Sequence, residues 1–327
     1  MTVLALSDSL APWHSFWIRV GQYLPALAWP TAITADANAV ENLGAGDRLI
    51  LYRYAPAWGD LASQLLRARE RGVLILSDVD DYLWQAPSWS RERLLGYTRA
   101  LRQCHGISCS TQPLLEQMAV MVPGARLHWL PNTAPRAMGT NPLTPDALPV
   151  GIGWTGAPWT RLADLEQLRP LAAWIAERPQ QLRLVHVGHS DQHLSLAQAL
   201  ALDPTQVTTY PLQGHADYLQ SFRFEIGLAP LAPNAFNHYK SAIKLLEYSA
   251  AGIPWLAADA QPYRDLCQTW GLSDRLCRSS AEWIERLQPL LEPTLRQERA
   301  AEVQRLCAQH ASYDSGVAGW DRLLRSG

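Results

Sequence analysis

Residues 224–259 read FEIGLAPLAPNAFNHYKSAIKLLEYSAAGIPWLAAD. The short apolar run FEIGLAPL has the length and composition of a buried strand, and the Pro- and Asn-rich stretch after it cannot continue one. Helical spacing follows in KSAIKLLEYSAAG, closed by Gly252, and IPWLAAD is a second buried run. Two buried strands joined through a helix form a parallel crossover unit.

The same alternation extends in both directions. TVLALS, RLILYRY, GVLILSDVD, GISCST and RLHWLPN read as buried strands, with helical patterns between them such as GDLASQLLRARERG and SRERLLGYTRALRQC. The rhythm pauses over residues 131–149, which contain five prolines. It restarts with VGIGW, the helix pattern TRLADLEQLRPLAAWIAERP, LRLVHVG and QVTTYP. The expected fold is α/β, with two Rossmann-like doubly wound parallel-sheet domains facing across a cleft. The expected boundaries are an N-terminal domain at 1–135, a linker at 136–149 and a C-terminal domain at 150–327, whose final helix can return to the first domain.

At 327 residues with 48% hydrophobic and 18% charged residues, the chain can bury two cores and is not disordered. A net charge of −2 and the absence of any basic run argue against nucleic acid as a partner. Without a leader pattern or an eighteen-residue apolar span, the expectation is a cytoplasmic protein with no transmembrane segment, with peripheral membrane contact left open. Five cysteines without CxxC spacing suggest buried small hydrophobes rather than disulfides or zinc.

In parallel α/β sheets ligands bind beyond the C-terminal ends of strands, which singles out four loops. The first carries Lys240 and Lys244, the only lysines in a chain with 28 basic residues. A helix beginning near Ser241 would align Lys240, Lys244, Glu247 and Ala251 in one stripe, with Ile243, Leu246 and Ala250 facing the sheet. Two ammonium groups beside a helix N-terminus suit a diphosphate, and Glu247 could accept from a vicinal diol. An ordinary Lys244–Glu247 surface pair is the competing reading. The second loop, GIGWTGAPWTR, offers Gly153 and Gly156 for close backbone approach and Arg161 for forked contact with phosphate. Here the competing reading is a tight turn with a solvent-facing arginine.

The third loop, SDVDDYLW, presents Asp78, Asp80 and Asp81, which read either as solvated loop carboxylates or, through their Asp-x-Asp spacing, as hard oxygen ligands suited to magnesium. The fourth presents His14 and Ser15 just after the first strand, where a histidine with an ordinary pKa of about 6.5 could act as a base. Arg19 and Arg53 are further candidates. Trp13, Trp17, Trp84, Trp89, Trp154 and Trp159 fall in or beside these loops, where indole faces can pack on sugars.

The succession FEIGLAPL, NAFNHYKSAIKLLEYSAAGIPWLAAD, with Glu247 followed by Ala251-Gly252-Ile253-Pro254, resembles the nucleotide-sugar site of GT-B glycosyltransferases of the group 1, or family 4, type. The resemblance extends more weakly through LPN at 130–132 and GIGWTGAPWTRLADLEQL. It implies a GT-B architecture and transfer of a hexose or related sugar, with retention, from a UDP- or GDP-linked donor to a sugar, glycan, lipid or protein hydroxyl. Gly156, Arg161, Lys240, Lys244 and Glu247 would bind the donor, and Asp80, Asp81 and His14 would serve catalysis. No metal or other cofactor is expected, because basic side chains and helix dipoles can neutralise the departing diphosphate. One departure stands out. The family commonly has a glutamate eight positions before Glu247, where this chain has Tyr239, and this leaves open a non-catalytic nucleotide-sugar binding subunit. A nucleotide-sugar epimerase on the same fold is the other alternative.

Overall fold

The computed structural model describes residues 1–11, 14–53, 61–86, 89–136, 148–188, 194–211 and 222–326. Trp13 and most of the expected linker, 137–147, lie outside the described residues. The chain divides into two compact units. The first comprises Met1–Thr133, His238–Ser241 and Tyr313–Gly327; the second comprises Ala134–Asn237 and Ala242–Ser312.

Unit 1 is built on a six-stranded parallel sheet. Its strands are β1 (Val3–Ser7), β2 (Thr31–Thr34), β3 (Arg48–Tyr52), β4 (Leu74–Val79), β5 (Gly106–Cys109) and β6 (Leu127–Trp129), in spatial order β2-β1-β3-β4-β5-β6. Side chains alternate between its two faces. Leu4, Leu6, Leu49, Leu51 and Ile75 pack into the core beneath the helices Leu61–Glu70 and Arg91–Leu101. Val3, Ala5, Ile50, Tyr52 and Leu76 pack on the other face with Trp320, Leu323 and Leu324 of the helix Tyr313–Arg325. That last helix is pinned where Trp320 Nε1 donates to the Arg19 carbonyl at 2.8 Å.

Unit 2 repeats the plan with β7 (Val150–Thr155), β8 (Leu182–Gly188), β9 (Val207–Pro211), β10 (Ile226–Ala229), β11 (Trp255–Ala258) and β12 (Leu276–Cys277), in order β12-β11-β10-β7-β8-β9 and all parallel. Its core gathers Trp154, Phe224, Tyr248, Trp255 and Trp283, each buried. All five cysteines are reduced and buried, Cys104 and Cys109 in unit 1 and Cys267, Cys277 and Cys307 in unit 2.

Two expectations about local structure need correction. The long helix expected after VGIGW is broken into a turn at Pro158–Thr160 and helices Leu162–Glu166 and Arg169–Ala176, because Pro170 cannot take an interior helical position and begins a new helix instead. The helix expected from Ser241 runs Ile243–Ala250, with Ala242 as its N-cap. Lys240 therefore lies outside it, and the single stripe through Lys240, Lys244 and Glu247 does not exist. Its buried positions include Leu245, Leu246, Tyr248 and Ser249, while Ile243 and Ala250 pack against the core only partly buried, so the core-facing side is wider than the Ile243, Leu246 and Ala250 stripe.

The strand orders reverse at two places. In unit 1 the chain goes from β1 outward to β2 and then returns to β3 on the other side; in unit 2 it goes from β7 through β8 to β9 and returns to β10. Crossovers diverge on opposite faces at such points, opening a crevice beyond the C-terminal strand ends.

Candidate functional site

At the unit 2 reversal, β7 ends in Thr155 and turns at Gly156, whose φ of 144° is a conformation that a side chain would strain. The turn is tied down on both sides. Gly156 N donates to the Val187 carbonyl at 3.1 Å, and its own carbonyl accepts from His186 Nε2 at 2.9 Å. A β-carbon on Gly188 would stand 2.0 Å from that carbonyl, so glycine is required there for the turn to approach β8. Lys244, from the first turn of the helix Ile243–Ala250, reaches back to the end of β7 and donates to both the carbonyl and Oγ1 of Thr155, the latter at 2.8 Å. Its ammonium lies 5.5 Å from the Trp154 ring centroid, and Trp154 in turn stacks on His186.

The His186 bond to a carbonyl requires a proton on Nε2, and Nδ1 is buried without a partner among the described residues. Burial lowers the His186 pKa and the Lys244 charge lowers it further, while the bond to Gly156 works in the opposite direction. Neutral imidazole therefore supports the turn.

Arg161 lies within hydrogen-bonding reach of Asp164 Oδ2 at 3.4 Å and Asn237 Oδ1 at 3.5 Å. Asp164 is itself fixed, accepting from Ala232 N at 2.7 Å and Asn237 Nδ2 at 2.8 Å. Glu247 is only 3% exposed, on the helix that carries Lys244. Gly156, Arg161, Lys244 and Glu247 thus all belong to unit 2, and Lys244 binds Thr155, the residue immediately before Gly156, at the end of β7. Gly153 has a packing role: a β-carbon there would stand 2.0 Å from the Phe224 ring.

The unit 1 reversal gathers a different set. Tyr52 ends β3, and its hydroxyl donates to Asp80 Oδ2 at 2.7 Å and shares a second hydrogen bond, also 2.7 Å, with the Ser15 hydroxyl. Arg53, held at a left-handed φ of 49°, donates from Nε to Asp80 Oδ1 at 2.7 Å and from a terminal nitrogen to Asp81 Oδ2 at 2.5 Å. Lys240 belongs to this unit and donates to Asp81 Oδ1 at 2.8 Å. The neighbouring Tyr239 packs on Tyr82 with ring centroids 4.5 Å apart, its hydroxyl donates to Gln117, and its carbonyl accepts from Thr111.

His14 precedes the π-helical turn Trp17–Gly21, with Nε2 3.5 Å from Asp8 Oδ1. Arg93 holds the other oxygen of Asp8 at 2.6 Å and stacks over Trp89. Asp8 Oδ1 and His14 Nδ1 are both buried without a hydrogen-bond partner among the described residues. Burial raises the Asp8 pKa and lowers that of His14, with their mutual attraction opposing each shift. Unmet hydrogen-bonding capacity on two neighbouring side chains suits a hydroxyl-bearing ligand.

Asp78 stands apart from this group. It is fully buried, bound by Arg19 through two bonds of 2.9 and 2.6 Å, and accepts from Ser108 at 2.6 Å. Arg19 also donates to Asn132, which donates onward to Ser241. Trp84 and Trp89 pack on Tyr97, and Trp17 Nε1 donates to the Ala11 carbonyl at 3.1 Å.

Reading the loops alone missed Asp8, Tyr52, Asp164, His186 and Asn237. Asp8 and Tyr52 were within reach, since each stands at a strand end by the criterion that selected His14. Asp164 lies three residues after Arg161, a spacing that brings side chains together on a helix. Nothing local marks His186 or Asn237, which join the site through the fold.

No protein-family model matches the chain, and no curated protein matches it by sequence. Solved structures do match in fold. HepE of Anabaena in complex with UDP and glucose aligns with a TM-score of 0.71 at 14% identity over 100% of both chains. WaaG, a glycosyltransferase involved in lipopolysaccharide biosynthesis, aligns at 0.62 and 12% identity, again over 100% of both. TarM of S. aureus aligns at 0.64 and 10% identity over 89% of this chain, which spans 57% of TarM's length. With two six-stranded parallel sheets in the strand orders described and these structural neighbours, the chain has the GT-B fold.

Proposed function

We propose that the chain is a glycosyltransferase that moves a sugar from a nucleoside diphosphate donor to a hydroxyl acceptor. The observation that carries this reading is the Lys244–Thr155–Gly156 arrangement at the unit 2 reversal, a compact cation held over a glycine turn where the fold opens a crevice. Lys244 and Arg161 would neutralise the diphosphate as it leaves, and Glu247 would receive the ribose hydroxyls. HepE, with UDP and glucose bound on the same fold, supports a UDP-linked donor.

In unit 1, Asp8 and His14 would receive the acceptor hydroxyl, the imidazole being neutral and able to accept its proton. Asp80 and Asp81 would shape the surrounding surface through Arg53 and Lys240. Transfer is proposed to retain anomeric configuration, as the sequence resemblance implies, with His14 holding the acceptor rather than driving displacement from the opposite face.

Tyr239 favours a second reading, a binding subunit without turnover. It places a phenol where the resemblance calls for a carboxylate, and its hydroxyl is engaged by Gln117. One experiment addresses both. Thermal-shift screening against nucleoside diphosphates and their sugars should reveal a stabilising ligand by mass action. Incubating that sugar donor with an acceptor panel should then release nucleoside diphosphate. Binding without release supports the second reading, and no stabilisation by any nucleotide overturns both.

A further inference from the structure

Unit 1 contains a cavity of about 660 Å³ at the opposite end of its sheet from the Asp80 group. It opens where β4, β5 and β6 begin, with Leu74, Leu76, Leu101, Gly106 and Val122 among its walls. Because β4 is six residues long, rising ~3.3 Å per residue, roughly 20 Å separates this end from the strand-end loops.

Its charge is one-sided. Arg69, Arg102, Arg126, His105 and His128 line it, and no carboxylate does among the described residues. Arg69 and Arg102 form no ion pair with any described residue, although most arginines in this chain do; among the described residues Arg126 donates to the Ser326 carbonyl and to no carboxylate. His128 Nε2 is buried at the wall with no hydrogen-bond partner among the described residues.

Helix dipoles account for part of this pattern. Arg69 lies in the last turn of the helix Leu61–Glu70, Arg102 caps Arg91–Leu101, and Arg126 follows Gln112–Met121, so each cation sits near a helix C-terminus. Each terminus carries roughly half a negative charge, so three offset only about half of three guanidinium charges. Among the described residues no carboxylate lines the cavity to balance the remaining positive field, and burial and the neighbouring arginines depress both histidine pKa values.

We propose that this cavity is a binding site for a small soluble phosphorylated metabolite, separate from the strand-end site. Guanidinium groups pair with phosphate through parallel hydrogen bonds, and a cavity of this size accommodates an organic body in addition to the phosphate.

Calorimetric titration of the full chain with inorganic pyrophosphate at physiological salt tests it. Saturable binding should weaken about ten-fold or more in an Arg69→Ala/Arg102→Ala variant and persist in Lys244→Ala, which separates this site from the proposed donor site. Both arginines are exposed, and an unchanged melting curve should confirm that the variant folds. Pyrophosphate binding that is unaffected by the arginine pair overturns the proposal. So does sedimentation with phosphatidylglycerol vesicles that depends on the arginine pair while pyrophosphate gives no saturable binding, because the surface would then serve a lipid headgroup.

Discussion

Lys244 Nζ stands 2.8 Å from Thr155 Oγ1, so the cation of one strand–helix crossover is anchored to the strand end of another. The contact is made across the β7/β10 pair, whose register brings Ile226 beside Ile152 and Gly227 beside Gly153. Behind it, Trp154 and His186 form a buried stack that ends on the Gly156 carbonyl.

That stack predicts an electrostatic response. Burial is the largest cause of the depressed His186 pKa, and Lys244 adds to it, so Lys244→Met should raise the value. Because the folded pKa is depressed, His186 contributes stability that is present above the ordinary value of about 6.5 and is lost as pH falls through the folded value. The variant should lose less stability in that window. Proton NMR titration of the His186 ring checks the shift, and an unmoved midpoint contradicts the coupling.

His14 is expected to set the acid limb of the pH–rate profile below the ordinary histidine value. Burial is the main cause of its lowered pKa, and the Asp8 charge partly restores it. Asp8→Asn should therefore move the limb to lower pH while reducing kcat/KM. A shift to higher pH would remove Asp8 from the role described.

Asp78 and Asp80 are only two residues apart but should respond differently. Asp78→Asn leaves the Arg19 guanidinium buried without its counter-charge and should cost about 3–5 kcal/mol of stability, measured by urea denaturation. A loss below about 1 kcal/mol would mean that Asn132 and neighbouring groups suffice to hold Arg19.

Lys240→Ala should chiefly affect unit 1, because its ammonium is bound to Asp81. Loss of a charged hydrogen bond predicts about 1.5–3 kcal/mol of destabilisation, with a smaller effect on nucleoside diphosphate affinity than Lys244→Ala produces. Equal losses of affinity in the two variants would return Lys240 to the diphosphate.

Much of the fold was legible because buried parallel strands announce themselves as short apolar runs. VLALS, RLILY, LILSDV and LRLVHVG appear in the structure within a residue or two of their apolar runs. The edge strands β2 and β12 were not legible: TAIT is half exposed, and Leu276–Cys277 is two residues long, so neither makes a distinctive run. The site was only partly legible. Strand-end position placed Asp80, Asp81, His14, Gly156 and Arg161 in loops that do follow strands in the structure, but local spacing placed Lys240 on a helix that begins only at Ile243. Spacing cannot show that His238–Ser241 belongs to the first unit and Ala242–Ser312 to the second. Long-range contacts of Tyr239, Lys240 and Ser241 decide that, and a linear pattern does not carry them.

Lys244 is proposed to hold a donor diphosphate at the end of β7. Calorimetric titration of the native chain and of Lys244→Ala with UDP, and with GDP in parallel, tests it most directly. One-to-one binding of at least one of these nucleotides to the native chain is expected, weakened about ten-fold or more in the variant, as for loss of a charged hydrogen bond, with uridine or guanosine affinity little changed. Equal diphosphate affinity in the two proteins, or no binding of either nucleotide to the native chain, would contradict it.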